Sequence, residues 1–307
     1  MVTEVELDTM RRAIALSAFG LGSTAPNPPV GCVILDTQGN IAGQGYHQRK
    51  GEPHAEVHAL AAAGSRAEGG TAVVTLEPCN HQGRTPPCHQ ALMDANIVRV
   101  VIAVIDPTSR GEGGAAKLRS AGIDVDVGVL ADEARFVLGP WLNSFVTGRP
   151  HVTWAYMVTN SGPAPALDSA SRTLAADAQI LRTQNDVVLY ADDHVEEGTP
   201  NSHGQGMLNL TRKAPGAGPP AVLSSLHAGG VRSVLLDGGR RFGERFVQAG
   251  LVDQIVVYLA VGGSSTRPLS GDHDVSWSLL PPGFTIANIA RHDTHVKITG
   301  RRIDKIK

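Results

Sequence analysis

Cysteine is nearly absent: three residues in 307, at Cys32, Cys79 and Cys88. A count so small, and odd, excludes a disulfide framework and points to metal or catalytic use of the thiols. All three lie in the first third of the chain. Excess charge of either sign is also lacking, with 27 Lys and Arg against 29 Asp and Glu and a formal net charge of -2. A nucleic-acid partner normally announces itself by a basic stripe, so none is expected. No apolar run approaches the ~20 residues that span a bilayer, so no membrane partner is expected. The first residues, MVTEVELDTM, lack the basic and apolar regions of a signal peptide, and the cytoplasm is the expected location.

What is present is an ordinary globular composition, 42% hydrophobic and 18% charged. The length predicts two domains. In the first half, helical and strand patterns alternate. Helix Asp8–Ala18 is followed by strands Val30–Asp36 and Ile41–His47, helix His54–Ala63 and strand Thr71–Leu76. Then come a helix from Cys88 to Ala95, strand Val98–Ile105, helix Ala115–Ala121, strand Ile123–Val129 and a closing helix, Asp132–Phe145. This alternation predicts an α/β sandwich over residues 1–146. Thr147-Gly-Arg-Pro150 reads as a linker. Residues 150–307 read as a second α/β domain with a loose middle, Gly198–Pro220, and a terminal hairpin, Phe284–Ala290 with His295–Thr299.

The chemistry is carried by His54-Ala-Glu56, at the start of a predicted helix, and by Pro78-Cys79 and Pro87-Cys88, around another. Zinc takes imidazole nitrogen and thiolate sulfur, and a catalytic site keeps one position open for water. One His and two Cys supply three ligands. A Glu two residues after the His can move protons between that water and a leaving amine, as in the H-x-E…P-C…C pattern of zinc deaminases. Taken singly, each piece has a duller meaning. A Glu in a first helical turn often only complements the helix dipole, and two Cys near prolines can be buried hydrophobes or a structural zinc site. A structural site would need a fourth ligand; Cys32 is available but sits in an apolar strand, where an inert buried thiol is expected. The ordered conjunction favours catalysis.

The segment T-L-E-P-C-N-H-Q-G-R-T-P-P-C (75–88) closely resembles the bifunctional riboflavin-biosynthesis deaminase/reductase family, RibD type. So do A-P-N-P-P-V-G-C-V-I (25–34), G-Y-H (45–47) and H-A-E (54–56). The resemblance implies a cytidine-deaminase-like α/β/α sandwich followed by a dihydrofolate-reductase-like α/β domain. It implies Zn2+ on His54, Cys79 and Cys88, with Glu56 as proton shuttle. The implied substrate is 2,5-diamino-6-ribosylamino-4(3H)-pyrimidinone 5′-phosphate, which loses its 2-amino group. Asn27 and His47 match substrate-contacting positions, Arg84 matches a basic residue near the phosphate, and Asp106 heads a D-P-T segment where the family has D-P-N. Homo-oligomers are the family's expected assembly.

The second half resembles the family's NADPH-dependent reductase in outline only. In the stretch opening at Pro150, Ala155 stands for the family's Lys and Ser161 for its Asp. The G-x-x-T-V-x-x-D stretch has become Ala191–Gly198, and A-P-x-x-x-G has become Ala260-Val-Gly-Gly263. Asp237-Gly238-Gly239 keeps most of an E-G-G turn that cradles cofactor phosphate. Apolar positions survive while polar ones are replaced, which predicts a vestigial reductase that does not use NADPH. Three other readings compete: a fully bifunctional enzyme, a zinc deaminase of a related pyrimidine, nucleoside or tRNA, and a non-enzymatic zinc scaffold. Near-neutral charge disfavours tRNA, and an unliganded Glu56 beside the metal disfavours the scaffold.

Overall fold

The computed structural model describes residues 1–80, 86–109, 113–159, 162–163, 172–200, 208, 218–260, 280–292 and 295–303. The chain divides into two compact units, the first built on Met1–Val146 and the second on Thr147–Pro200 with Asn209–Lys307.

In the first unit, α1 (Glu4–Ser17) starts at a capping box in which Thr3 and Glu6 satisfy each other's backbone N–H groups. It begins four residues earlier than the periodicity predicts, because the cap rather than the apolar pattern sets the start. Five strands follow: β1 (Gly31–Leu35), β2 (Ile41–Tyr46), β3 (Thr71–Leu76), β4 (Arg99–Val104) and β5 (Asp124–Val127). Their order is β2-β1-β3-β4-β5, with β1 antiparallel to both neighbours and β3, β4 and β5 parallel. Every residue of β1 is buried, as are nearly all of β3 and β4, so both faces of the sheet are covered. The covering helices include α1, α2 (Ala55–Ala63), α3 (Cys88–Asp94), α4 (Gly113–Ser120) and α5 (Ala131–Thr147). The core is built from Met10, Val33, Ile34, Val73, Val101, Leu118 and Leu138, among others. Cys32 lies fully buried in β1, as expected of an inert thiol.

Parallel β3 and β4 end side by side, with Leu76 opposite Val104. The loops leaving their carboxyl ends form the natural crevice of an open α/β sheet.

The second unit is a separate sheet whose described strands run β12-β13-β11-β6-β10-β8-β9, with β7 (Gly162–Pro163) paired to β6. β6 (His151–Thr159), β8 (Val187–Tyr190), β10 (Ser233–Asp237) and β11 (Gln254–Ala260) are parallel in the centre. The hairpin β12 (Phe284–Arg291) with β13 (His295–Arg302) extends one edge, and β9 (Val195–Glu197) closes the other. Helices α6 (Arg172–Thr183), α7 (Pro219–Ala228) and α8 (Gly239–Gln248) complete the unit. The short strands β7 and β9 have too few residues to show a period and are not foreseen in the sequence.

Candidate metal centre and pocket

His54 is the N-cap of α2, with extended backbone, and Glu56 lies in that helix's first turn, 3% exposed. Cys79 follows β3 by three residues, and Cys88 opens α3 behind Pro87. The fold gathers the three donors: His54 Nδ1 lies 3.3 Å from Cys88 Sγ and 3.6 Å from Cys79 Sγ. The donor atoms all fall within 4.8 Å of one another. The Cys88 backbone N–H donates to Cys79 Sγ at 3.3 Å, and His89 Nδ1 lies 3.1 Å from the Cys79 carbonyl oxygen. The start of helix α3 thereby holds both the thiol and the carbonyl of Cys79.

The electrostatics call for a cation. The Cys79 thiol, hydrogen-bonded first by Cys88 and then by His54, falls to about 4. The Cys88 thiol is pushed far up, by its bond to Cys79 and by burial. The half-buried Cys79 and the buried Cys88 thus face one another with acidities driven apart, and a cation bound between them would favour ionisation of both. His54 is raised, chiefly by its hydrogen bond to Cys79. Burial lifts the Glu56 carboxyl to about 6. One imidazole and two thiols suit Zn2+ with an open fourth position.

A second His/Asp group, Asp177, His292 and His295, also lies within 4.8 Å. Its two imidazole rings stack at 4.5 Å with planes 13° apart, so their in-plane lone pairs cannot converge on one ion. Lys297 Nζ already stands 2.9 Å from Asp177 Oδ2 and supplies that carboxylate with positive charge. The cysteine site is the better metal centre.

A cavity of about 180 Å3 opens onto it, lined by Asn27, His47, His54, Glu56, Cys79 and Asp106, with Glu77, Thr108 and Trp141. Asn27 Nδ2 is 3.2 Å from His47 Nε2, and His47 Nδ1 is 3.1 Å from the Pro53 carbonyl oxygen. Burial lowers His47 to about 4, so the ring is neutral near pH 7. Asp106 lines the cavity, but its Oδ1 accepts from both the N–H and the hydroxyl of Thr108 at 2.7 Å, closing a local turn. Arg84 lies outside the described residues.

Trp141 and Glu77 are among the cavity residues that the sequence reading does not single out. Trp141 on α5 is 4% exposed and donates from Nε1 to the Pro26 carbonyl at 3.1 Å. In the sequence it is indistinguishable from a core aromatic. Glu77 is 5% exposed, and its only signal is a carboxylate at the end of an apolar strand.

In the second unit, Asp237 ends β10, Gly238 is the N-cap of α8 and Gly239 is its first residue. Asp237 is 4% exposed and lies 3.4 Å from Arg182 Nη1. Ala155 is 1% exposed within a cluster of Leu174, Leu181, Val188, Leu235 and Val256. Of the other departures, the stretch Ala191–Gly198 contains β9, while Ser161 and residues 261–263 lie outside the described residues.

Comparison with known proteins finds two family matches along the chain. Residues 3–104 match the cytidine and deoxycytidylate deaminase zinc-binding region, and residues 134–295 match the RibD C-terminal domain. The riboflavin biosynthesis protein RibD of Mycobacterium tuberculosis is 36% identical over 301 residues, covering 84% of this chain and 87% of that protein. RibD of Aquifex aeolicus is 41% identical over 66% of this chain, and RibD of Escherichia coli 44% over 59%. Those two alignments span 58% and 50% of the relatives' own lengths. Among solved structures, Acinetobacter baumannii RibD superposes with a TM-score of 0.74 at 28% identity, covering 97% of this chain and 99% of that one. A Thermotoga maritima diaminohydroxyphosphoribosylaminopyrimidine deaminase/5-amino-6-(5-phosphoribosylamino)uracil reductase gives 0.76 at 25% identity, with the same coverage. A cytidine-deaminase-like first half, a RibD C-terminal second half and a relative matched along most of its length establish that this chain belongs to the RibD family of riboflavin-biosynthesis proteins.

Proposed function

We propose that residues 1–146 form a zinc-dependent deaminase that removes the 2-amino group of 2,5-diamino-6-ribosylamino-4(3H)-pyrimidinone 5′-phosphate. The observation that carries this reading is the convergence of His54 Nδ1, Cys79 Sγ and Cys88 Sγ beside a cavity that Glu56 lines. His54, Cys79 and Cys88 would hold the zinc. When bound, zinc acts as a Lewis acid that makes water a nucleophile near neutrality. Glu56, the proton shuttle, takes the proton of the attacking water on a carboxylate oxygen and returns it to the departing amino nitrogen. Its burial-raised acidity, near 6, suits both halves of that exchange. Asn27 offers its amide to the pyrimidine edge, and Arg84 is the proposed partner of the phosphate.

The second unit is a reductase-like domain that does not turn over NADPH. The family's Lys position is occupied by Ala155, buried in an apolar cluster, so that position itself supplies no cation. Asp237, Gly238 and Gly239 keep the strand–turn–helix shape of a phosphate cradle. The membership of residues 134–295 in the RibD C-terminal family favours the second reading, a fully bifunctional enzyme. A paired assay on the purified, zinc-loaded chain tests both halves. Ammonia release from the diaminopyrimidinone phosphate is expected, without NADPH oxidation on its deaminated product. Sustained NADPH oxidation would establish the bifunctional reading instead.

A further inference from the structure

At the end of β3, the side chain of Glu77 is buried yet fully engaged. Its Oε2 accepts from the Asp106 backbone N–H at 3.3 Å and from the Ser109 hydroxyl at 2.9 Å. Its Oε1 accepts from the Ala115 backbone N–H, in the first turn of α4, at 2.9 Å. The Glu77 N–H itself donates to the Val104 carbonyl at 2.8 Å, continuing the β3–β4 ladder past the last paired strand residue. One carboxylate thus ties three pieces of chain together: the segment leading to Cys79, the 105–109 loop after β4, and the start of α4.

The packing around it leaves little tolerance. Gly113 has φ +76, and a Cβ there would lie 2.4 Å from Glu77 Oε1. A Cβ on Gly114 would lie 1.8 Å from the Pro78 carbonyl oxygen. Helix α4 therefore sits directly on the Glu77-Pro78 backbone, and two adjacent glycines permit it.

The consequence for the cavity follows from topology. Parallel β3 and β4 run side by side to Leu76 and Val104, and beyond them the chain diverges. On one side it carries Cys79; on the other it carries Asp106 and Thr108, which line the same cavity. The Asp106 side chain spends its Oδ1 on the turn with Thr108. Glu77 is the group that spans the split. A buried carboxylate stays in place only when donors replace its lost hydration, and here the N–H groups of Asp106 and Ala115 and the Ser109 hydroxyl do so.

We propose that Glu77 is a positioning residue for the deaminase site: it locks the Asp106–Ser109 loop against the Cys79 segment and so sets the substrate-facing wall of the cavity. This rests on the deaminase reading above. Glu77 touches neither the metal donors nor Glu56 through any of these bonds, so its loss acts on substrate binding more than on the hydrolytic step.

The test uses the full-length, zinc-loaded chain. Glu77→Gln keeps the volume but has one acceptor oxygen, so its NH2 must face the N–H of either Asp106 or Ala115, donor against donor. It is expected to raise KM for the diaminopyrimidinone phosphate about 10-fold or more, with kcat within about 3-fold and zinc content unchanged. Hydrogen exchange at Asp106 and Ala115 is expected to accelerate while the amides within β3 and β4 keep their protection. Ser109→Ala, which removes a single bond of the loop, is expected to shift KM in the same direction by less. Unchanged KM and unchanged exchange in folded Glu77→Gln overturn the proposal. So does a loss of zinc that parallels the loss of activity, which would assign Glu77 to the metal loop alone. If the wild-type chain releases no ammonia from this substrate, the functional reading fails by itself. The exchange measurement then still decides whether Glu77 holds the loop.

Discussion

Asn27 donates through its amide nitrogen to Nε2 of His47, 3.2 Å away, and the direction of that bond is set from behind. The Pro53 carbonyl can only accept, so the proton of the neutral ring belongs on Nδ1 and the lone pair on Nε2. That bond orients the Asn27 amide within the cavity. Asn27→Ala and His47→Phe should each raise KM about 10-fold, the scale of one buried hydrogen bond. In the double variant the losses should not add, because both remove the same oriented amide. Additive losses would show that His47 acts on the substrate independently.

Glu56 and the metal donors separate cleanly by experiment. Glu56→Gln should retain zinc while ammonia release drops by roughly 10²–10⁴-fold, the range for a lost general acid–base. Chelation should abolish ammonia release from the wild-type chain, and added Zn2+ should restore it. Unchanged ammonia release in Glu56→Gln would refute the assignment of Glu56.

The pH dependence of stability has a specific contributor in the second unit. Arg149 grips Asp253 with two bonds of 2.7 Å, and the Val152 N–H adds a third at 2.8 Å. Burial pushes the Asp253 carboxyl up, but the Arg149 bonds and the other positive neighbours outweigh it and the net shift is downward. A lowered folded-state value means that this stabilisation is complete above the unfolded carboxylate range, ~3.9. It is lost as pH falls through the folded value. Asp253→Asn should cost about 3 kcal/mol at pH 7, leaving the partly buried Arg149 unpaired. Unfolding curves of the two proteins should approach each other below pH 4. A gap constant between pH 7 and pH 3 would contradict this account.

Gly243 on α8 lies against Trp154 of β6: a Cβ there would fall 1.9 Å from the indole Cε2. Trp154 is 1% exposed and cannot swing away. Gly243→Ala should therefore destabilise the second unit by roughly 1–3 kcal/mol despite the better helix propensity of alanine. Thermal unfolding measures this directly; a gain in stability would mean that α8 is free to shift.

The strands carrying the site were legible because they are long apolar runs bounded by turns. β3 has the predicted limits of Thr71–Leu76, and β1, β2 and β4 are trimmed by one residue or so at their ends. The start of α1 was less legible, since the Thr3–Glu6 box sets it, whereas α3 opens at Cys88 as expected. Of the candidate residues, His54, Glu56, Cys79 and Cys88 announce themselves by type and order, because few chemistries use that set. Asp106 shows the limit of such matching: the residue lines the cavity, but its side chain closes a turn with Thr108.

Sequence alone therefore determined the class of chemistry, a thiolate and imidazole metal centre with a neighbouring carboxylate, because ligand identity is a property of side chains. It also determined the two-part α/β architecture, because periodic burial is written into local order. Only the tertiary structure decided how donors 25 and 34 residues apart come within bonding reach of His54. It also decided which way the Asn27 amide faces, and that Glu77 holds the two walls of the cavity together. Those features depend on hydrogen-bond direction and on contacts between segments distant in sequence, and neither leaves a periodic trace along the chain.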